Sequence, residues 1–122
     1  MKFHLSIGEG HRVTATGPGW VRVNEAEHRA SFLLAPDAIV TPWAAGGFEG
    51  LTAAEFEAIA ALNPEIVLLG TGARLRFPHP RLYAPLTGAR VGVEVMDTGA
   101  AARTYNIVAA EGRRVVAALL LP

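Results

Sequence analysis

Two short turns hold the residues best suited to chemistry. Gly70-Thr71-Gly72 and Asp97-Thr98-Gly99 each follow an apolar run, and each sets a hydroxyl among small residues. Glycines let backbone N–H groups approach a ligand closely. A helix expected to begin after Asp97 adds N–H donors and the positive end of its dipole. Arg74, Arg76 and Arg103 supply positive charge nearby in sequence. Together these residues suit a pocket for a small anion. They also suit plain architecture, in which the glycines form turns and Asp97 or Thr98 caps the helix. The architectural reading weighs more. No Walker-A lysine follows Gly-Thr-Gly, and no complete GxGxxG opens a helix after it.

Other chemistries are poorly served. Asp97-Thr98-Gly99 has the look of a retroviral-type aspartic protease signature. Too few residues follow it to complete such an all-β subunit, and they read as a helix and a strand, so that activity is rejected. Ser6 and Ser31 are the only serines, and neither lies in a GxSxG elbow. His4, His11, His28 and His79 form no close pair at metal-ligand spacing, so no metal site is expected. The chain has no cysteine, which excludes disulfides, thiolate metal sites and Cys nucleophiles. No catalytic residue and no cofactor is therefore expected. Trp20 and Trp43 read as core or rim packing, and Trp43, beside the glycine-rich 44–50 loop, is the candidate interface anchor.

The elements that must position these residues follow from pattern and punctuation. Residues 11–16, 20–23, 29–34 and 38–43 read as short strands separated by turn signals, most simply antiparallel. Pro42 places the last of them at an edge or ends it. Thr52-Ala53-Ala54-Glu55 spells a capping box, with Leu51 and Phe56 at the staple positions around it. The helix it opens closes at Asn63-Pro64. Glu65 to Leu69 is a continuous apolar run, as in a strand buried on both faces. Residues 79–86 suit a short helix that tolerates Pro80 in its first turn and weakens at Pro85. Residues 91–96 form the next strand, a helix runs from Asp97 to about Glu111, and Gly112 stops it. Residues 114–121 close the chain as a strand whose direction the pattern leaves open. The order strand–helix–strand–helix–strand calls for right-handed crossovers onto one sheet. The tetrapeptide Thr-Gly-Ala-Arg recurs at 71–74 and 87–90, which reflects recurring tight turns rather than duplication.

Bulk properties narrow the class further. With 122 residues, 51% hydrophobic and 18% charged, the chain reads as one folded domain, 1–122. Lys+Arg and Asp+Glu are both 11, so the net charge is zero and a general nucleic-acid binder is disfavoured. No apolar run reaches the length of a membrane span, and the N-terminus is no signal peptide, so a cytoplasmic protein is expected. The charges are segregated. Residues 30–73 hold five acids and no Lys or Arg, whereas residues 66–93 hold four arginines and no acid. Such segregation suits a complementary protein partner, although solvated surfaces produce it more often.

The carboxyl-terminal half resembles the family known as domain of unknown function 498. That family includes the mitochondrial NADH dehydrogenase (complex I) assembly factor 3 and the adipogenesis-associated domain protein. The resemblance rests on Ile66–Gly72 (IVLLGTG), Val93–Asn106 (VEVMDTGAAARTYN), Glu111-Gly112-Arg113 and the closing AALLLP, with Thr41-Pro42-Trp43 matching less specifically. It implies an α/β fold of three layers. Short N-terminal antiparallel strands precede β-α-β-α-β around a central mixed sheet, whose last strand runs antiparallel to its neighbours. It implies no established enzymatic activity. Where many members carry Cys, this chain has Ala102, so a thiol-dependent role cannot operate there. The resemblance also draws attention to Thr104, which could face the Gly70–Gly72 turn. Asn106 could bond a neighbouring loop, and Glu111 could pair with Arg113.

Three functions are thus in view. The first is a non-catalytic interaction domain with an unidentified protein partner, similar to a respiratory-complex assembly factor. The second is a small-molecule or anion-binding domain, or an enzyme, built on Gly70, Thr71, Gly72, Arg74, Asp97 and Thr98; Arg76 and Trp43 complete the candidate pocket or interface residues. The third is a homo-oligomer of purely structural purpose.

Overall fold

A computed structural model describes residues 10–122. His4 and Ser6 lie outside them. Among the described residues, eight strands form two sheets. Strands β1 (Val13–Gly17), β2 (Trp20–Val23) and β3 (Ala26–His28) make a small antiparallel sheet in that order. Strands β4 (Phe32–Ala35), β5 (Ala38–Val40), β6 (Ile66–Gly70), β7 (Gly92–Met96) and β8 (Val115–Leu119) make the central one, in the order β5-β4-β8-β6-β7. Among the described residues three α-helices accompany them: α1 (Ala53–Ala60), the short α2 (Ala84–Thr87) and α3 (Thr98–Ala110).

The central sheet is covered on both faces, which explains its unbroken apolar strands. On one side, Phe32, Leu34, Leu68, Val115, Ala117 and Leu119 pack against Ala101, Tyr105 and Val108 of α3 and Val21 of the small sheet. On the other, Leu33, Val67, Leu69, Val116 and Ala118 meet Phe56 and Ile59 of α1 and Leu86 of α2. Neighbouring residues along each strand alternate between these faces, as the pleat requires. The three layers of the expected mixed α/β fold are therefore present.

The last strand departs from expectation. β8 pairs with β6 in parallel and with β4 antiparallel. It is antiparallel to one neighbour only. It occupies the sheet centre, where Val115 to Leu119 are all buried. Parallel pairing to β6 follows from the α3 connection, because a helix laid back across the sheet returns the chain to the same end.

The N-terminal strands are also redistributed. The stretch 29–34 enters a strand only at Phe32, and a separate strand β3 precedes it. β3 is short, and Ala26 and Glu27 are exposed, so it carried no apolar alternation to reveal it. β5 ends at Val40 on the sheet edge, ahead of Pro42. The 79–86 segment divides into a 3₁₀ turn, Pro80–Tyr83, and α2. Pro85 sits in the first turn of α2 rather than weakening its end, and the missing N–H costs nothing there.

The helix signals are realised atom by atom. The Thr52 hydroxyl accepts from Ala54 N–H at 3.3 Å, and Glu55 Oε1 accepts from Thr52 N–H at 2.6 Å. Leu51 and Phe56 are buried together in the same cluster. α3 ends before Gly112, whose φ of 81° takes the left-handed conformation that side chains resist.

Candidate functional site

The turn after β6 and the start of α3 are drawn together by their own groups. Thr98 N–H donates to Gly72 O at 2.9 Å, and Gly72 N–H donates to Thr98 Oγ1 at 2.8 Å. The Thr98 hydroxyl then donates to Leu120 O at 2.8 Å, which ties the end of β8 into the same knot. The Thr71 hydroxyl donates to Arg74 O at 2.8 Å and accepts from Arg76 N–H at 3.0 Å. Asp97 Oδ1 accepts from Ala100 N–H at 2.8 Å, as an N-cap does. Gly70 lies flush against α3. A Cβ there would stand 2.8 Å from Thr98 Cα and 3.0 Å from Thr98 Oγ1. The hydroxyls and donors proposed for an anion are thus engaged with one another.

The other motif residues hold the layers together. Asn106 brackets the first residue of β1, accepting from Val13 N–H at 2.9 Å and donating to Val13 O at 2.8 Å. Tyr105 hydroxyl donates to His11 O at 2.8 Å. Burial, joined by the Asp37 carboxylate, raises the Tyr105 phenol above its ordinary pKa. Thr104 is half-buried on α3 and makes no side-chain hydrogen bond among the described residues. Glu111 is not the partner of Arg113. Arg113 Nε lies 3.7 Å from Glu65, across the end of the sheet. Ala102 is fully buried on the inner face of α3, where a small side chain lets the helix sit close to its neighbours.

A cavity of about 610 Å³ opens beside this knot, between the 42–48 loop, the 72–76 loop and the residues after β8. Of the candidate residues, Trp43, Gly72 and Arg76 line it, while Gly70, Thr71, Arg74, Asp97, Thr98, Thr104 and Asn106 do not. Trp43 is 5% exposed and packed into the core, and its indole N–H donates to Glu55 O at 3.0 Å. Arg76 lays its guanidinium over the Phe48 ring, 4.3 Å from the centroid, and donates to Thr71 O at 2.8 Å. Arg29, Ser31, Gly46, Gly47 and Phe48 also line the cavity and were not foreseen. The glycine pair next to Trp43 was the one available signal.

Beyond the cavity rim, Arg74, Leu75, Phe77, His79 and Arg81 are exposed. Leu75 is 50% and Phe77 69% exposed, between exposed Arg74 and Arg81. Among the described residues, no cluster of metal-ligating side chains exists and no helix is long and apolar enough to cross a membrane.

The family described as protein of unknown function DUF498/DUF598 matches residues 13–120. The chain belongs to this family. It is 39% identical over 104 residues to an uncharacterised protein of Rhodobacter capsulatus, covering 85% of this chain and 79% of that one. It is 35% identical over 92 residues to the mouse protein named NADH dehydrogenase [ubiquinone] 1 alpha subcomplex assembly factor 3. That match covers 74% of this chain but 49% of the mouse protein, so the chain spans about half the length of that relative. A crystal structure of a Bordetella parapertussis protein superposes with a TM-score of 0.86 at 44% identity, covering 93% of this chain and 97% of the other. A Mth938-like domain from Bordetella pertussis gives a TM-score of 0.80 at 36% identity, covering 99% and 92%. Within this fold, Thr98 fastens α3 to the β6 turn and to β8, Asn106 fastens it to Val13 of the small sheet and Tyr105 to His11, while Asp97 caps α3 itself.

Proposed function

We propose that this protein is a non-catalytic interaction domain that helps assemble a larger complex, acting from the cytoplasm. One observation carries the reading: its similarity to proteins named as assembly factors of NADH dehydrogenase. The surface is consistent with it. Leu75 and Phe77 stand exposed on a segment whose only charges are arginines, an arrangement suited to an acidic partner with apolar side chains to bury. Thr98, Tyr105 and Asn106, in contrast, are engaged within the fold.

The test is genetic and biochemical. The gene is deleted in the protein's own cells, and the assembly state of NADH dehydrogenase is followed on native gels. Accumulated subassemblies, restored by the wild-type chain but not by the Leu75→Ser/Phe77→Ser chain, are the expected result. Unchanged assembly, together with no partner cross-linked through position 77, would overturn the reading.

A further inference from the structure

We infer that the cavity beside Trp43 binds a small organic anion, a carboxylate or phosphate monoester carrying an apolar or planar body. The inference goes beyond the interaction role, since it concerns a different surface.

Among the described residues the charge of the cavity is one-sided: Arg29 and Arg76 line it, and no Asp or Glu does. Arg29 has Glu27 as its ion-pair partner, at 2.6 Å on the surface. Arg76 has no carboxylate partner among the described residues. Of its five N–H donors, one side-chain bond is made there, to Thr71 O. Its Nε is sealed from solvent without an acceptor among the described residues. A guanidinium held this way keeps little freedom to lose on binding. The Phe48 ring lies under its face, and a Cβ on Gly72 would come within 3.4 Å of Nη2. Pre-organised, without a counter-ion among the described residues and facing a concave space, it is suited to an oxyanion.

The remaining walls specify the body of the ligand. Trp43, Phe48, Leu120 and Leu121 give apolar surface, and the Gly46-Gly47 turn adds no side chain to narrow the space. A volume of about 610 Å³ falls within the range of small-molecule sites. It favours a compact ligand over a protein segment.

The ¹⁵N-labelled chain is titrated with benzoate, phenyl phosphate and benzamide, the last a neutral analogue of nearly the same shape. Shifts at the Gly46, Gly47 and Gly72 amides and the Trp43 indole are expected, with at least one anion binding about tenfold or more tighter than benzamide. The better anion identifies the head group. Arg76→Met abolishes that preference while leaving benzamide binding in place. Ala73→Glu puts a carboxylate at the rim without disturbing the Thr71–Arg76 bond, and it weakens the anions selectively. No shift at those amides up to the solubility limit overturns the inference. So does equal binding of benzamide, or anion binding indifferent to both variants.

Discussion

Tyr105 and Asn106 are adjacent on α3, and both reach back about ninety residues to the same stretch of chain at His11 and Val13. Their bonds differ in kind. Asn106 satisfies both the N–H and the C=O of Val13, so its removal leaves two backbone groups without partners. Asn106→Ala is expected to lose about 2 kcal/mol in urea unfolding, against about 1 kcal/mol for Tyr105→Phe, which loses one bond. Tyr105 also makes stability depend on alkali. Its folded-state pKa is raised, so the native form holds the proton more tightly than the unfolded chain. That contribution is intact below about pH 10, the unfolded value, and fades as the pH rises further. Tyr105→Phe should flatten the alkaline fall in unfolding midpoint. An unchanged slope would show that the phenol is not its source.

α3 is the element on which the layers converge, and its seat depends on one missing side chain. Gly70→Ala places a methyl against backbone at Thr98, which cannot move without breaking the Gly72 and Leu120 bonds. A loss of about 1–3 kcal/mol is expected by thermal or urea unfolding. Asp97→Ala removes only the cap and should cost about 1 kcal/mol. α1 has a cap of another kind. Burial works to raise the Glu55 pKa, but hydrogen bonds from the Thr52 N–H and hydroxyl, and from its own N–H, leave it net lowered. A lowered folded-state pKa stabilises above the ordinary carboxylate range and is lost as pH falls through it. Thr52→Ala should therefore cost about 1 kcal/mol near neutrality and somewhat less in acid, where the hydroxyl bond to Glu55 weakens but the cap on Ala54 N–H does not. The comparison is read from urea midpoints at the two pH values.

For the molecule as a whole, Thr98, Tyr105 and Asn106 do different work from the exposed residues. The former bind the layers to each other; Leu75 and Phe77 contribute little to any layer. Phe77→Ser should leave stability within about 0.5 kcal/mol, as surface changes generally do, while cross-linking to a partner falls away. A large drop in melting temperature would instead make Phe77 part of the fold.

Local signals were legible wherever the physics was local. The capping box at Thr52–Glu55, the Asp97 cap and the Gly112 stop depend on residues within one helical turn, so a short stretch of sequence contains the whole interaction. The doubly covered strand at β6 was legible from its unbroken apolar run. β3 was not, because an exposed edge strand is held by backbone bonds that any side chains permit. Nor did the chain reveal what the glycine turns meet. Gly70, Thr71 and Thr98 have the composition of a ligand turn, and only the fold places them against each other and against Leu120. Only the fold, too, makes Asn106 the latch on Val13 and sets Arg76 beside Phe48 and Trp43. The sequence by itself determined the α/β class, most of the elements and their caps, since these follow from periodicity and neighbouring residues. Tertiary structure decided the direction of β8, the place of the cavity and which polar groups remain free. Each of those depends on groups far apart in the chain, whose meeting no local pattern encodes.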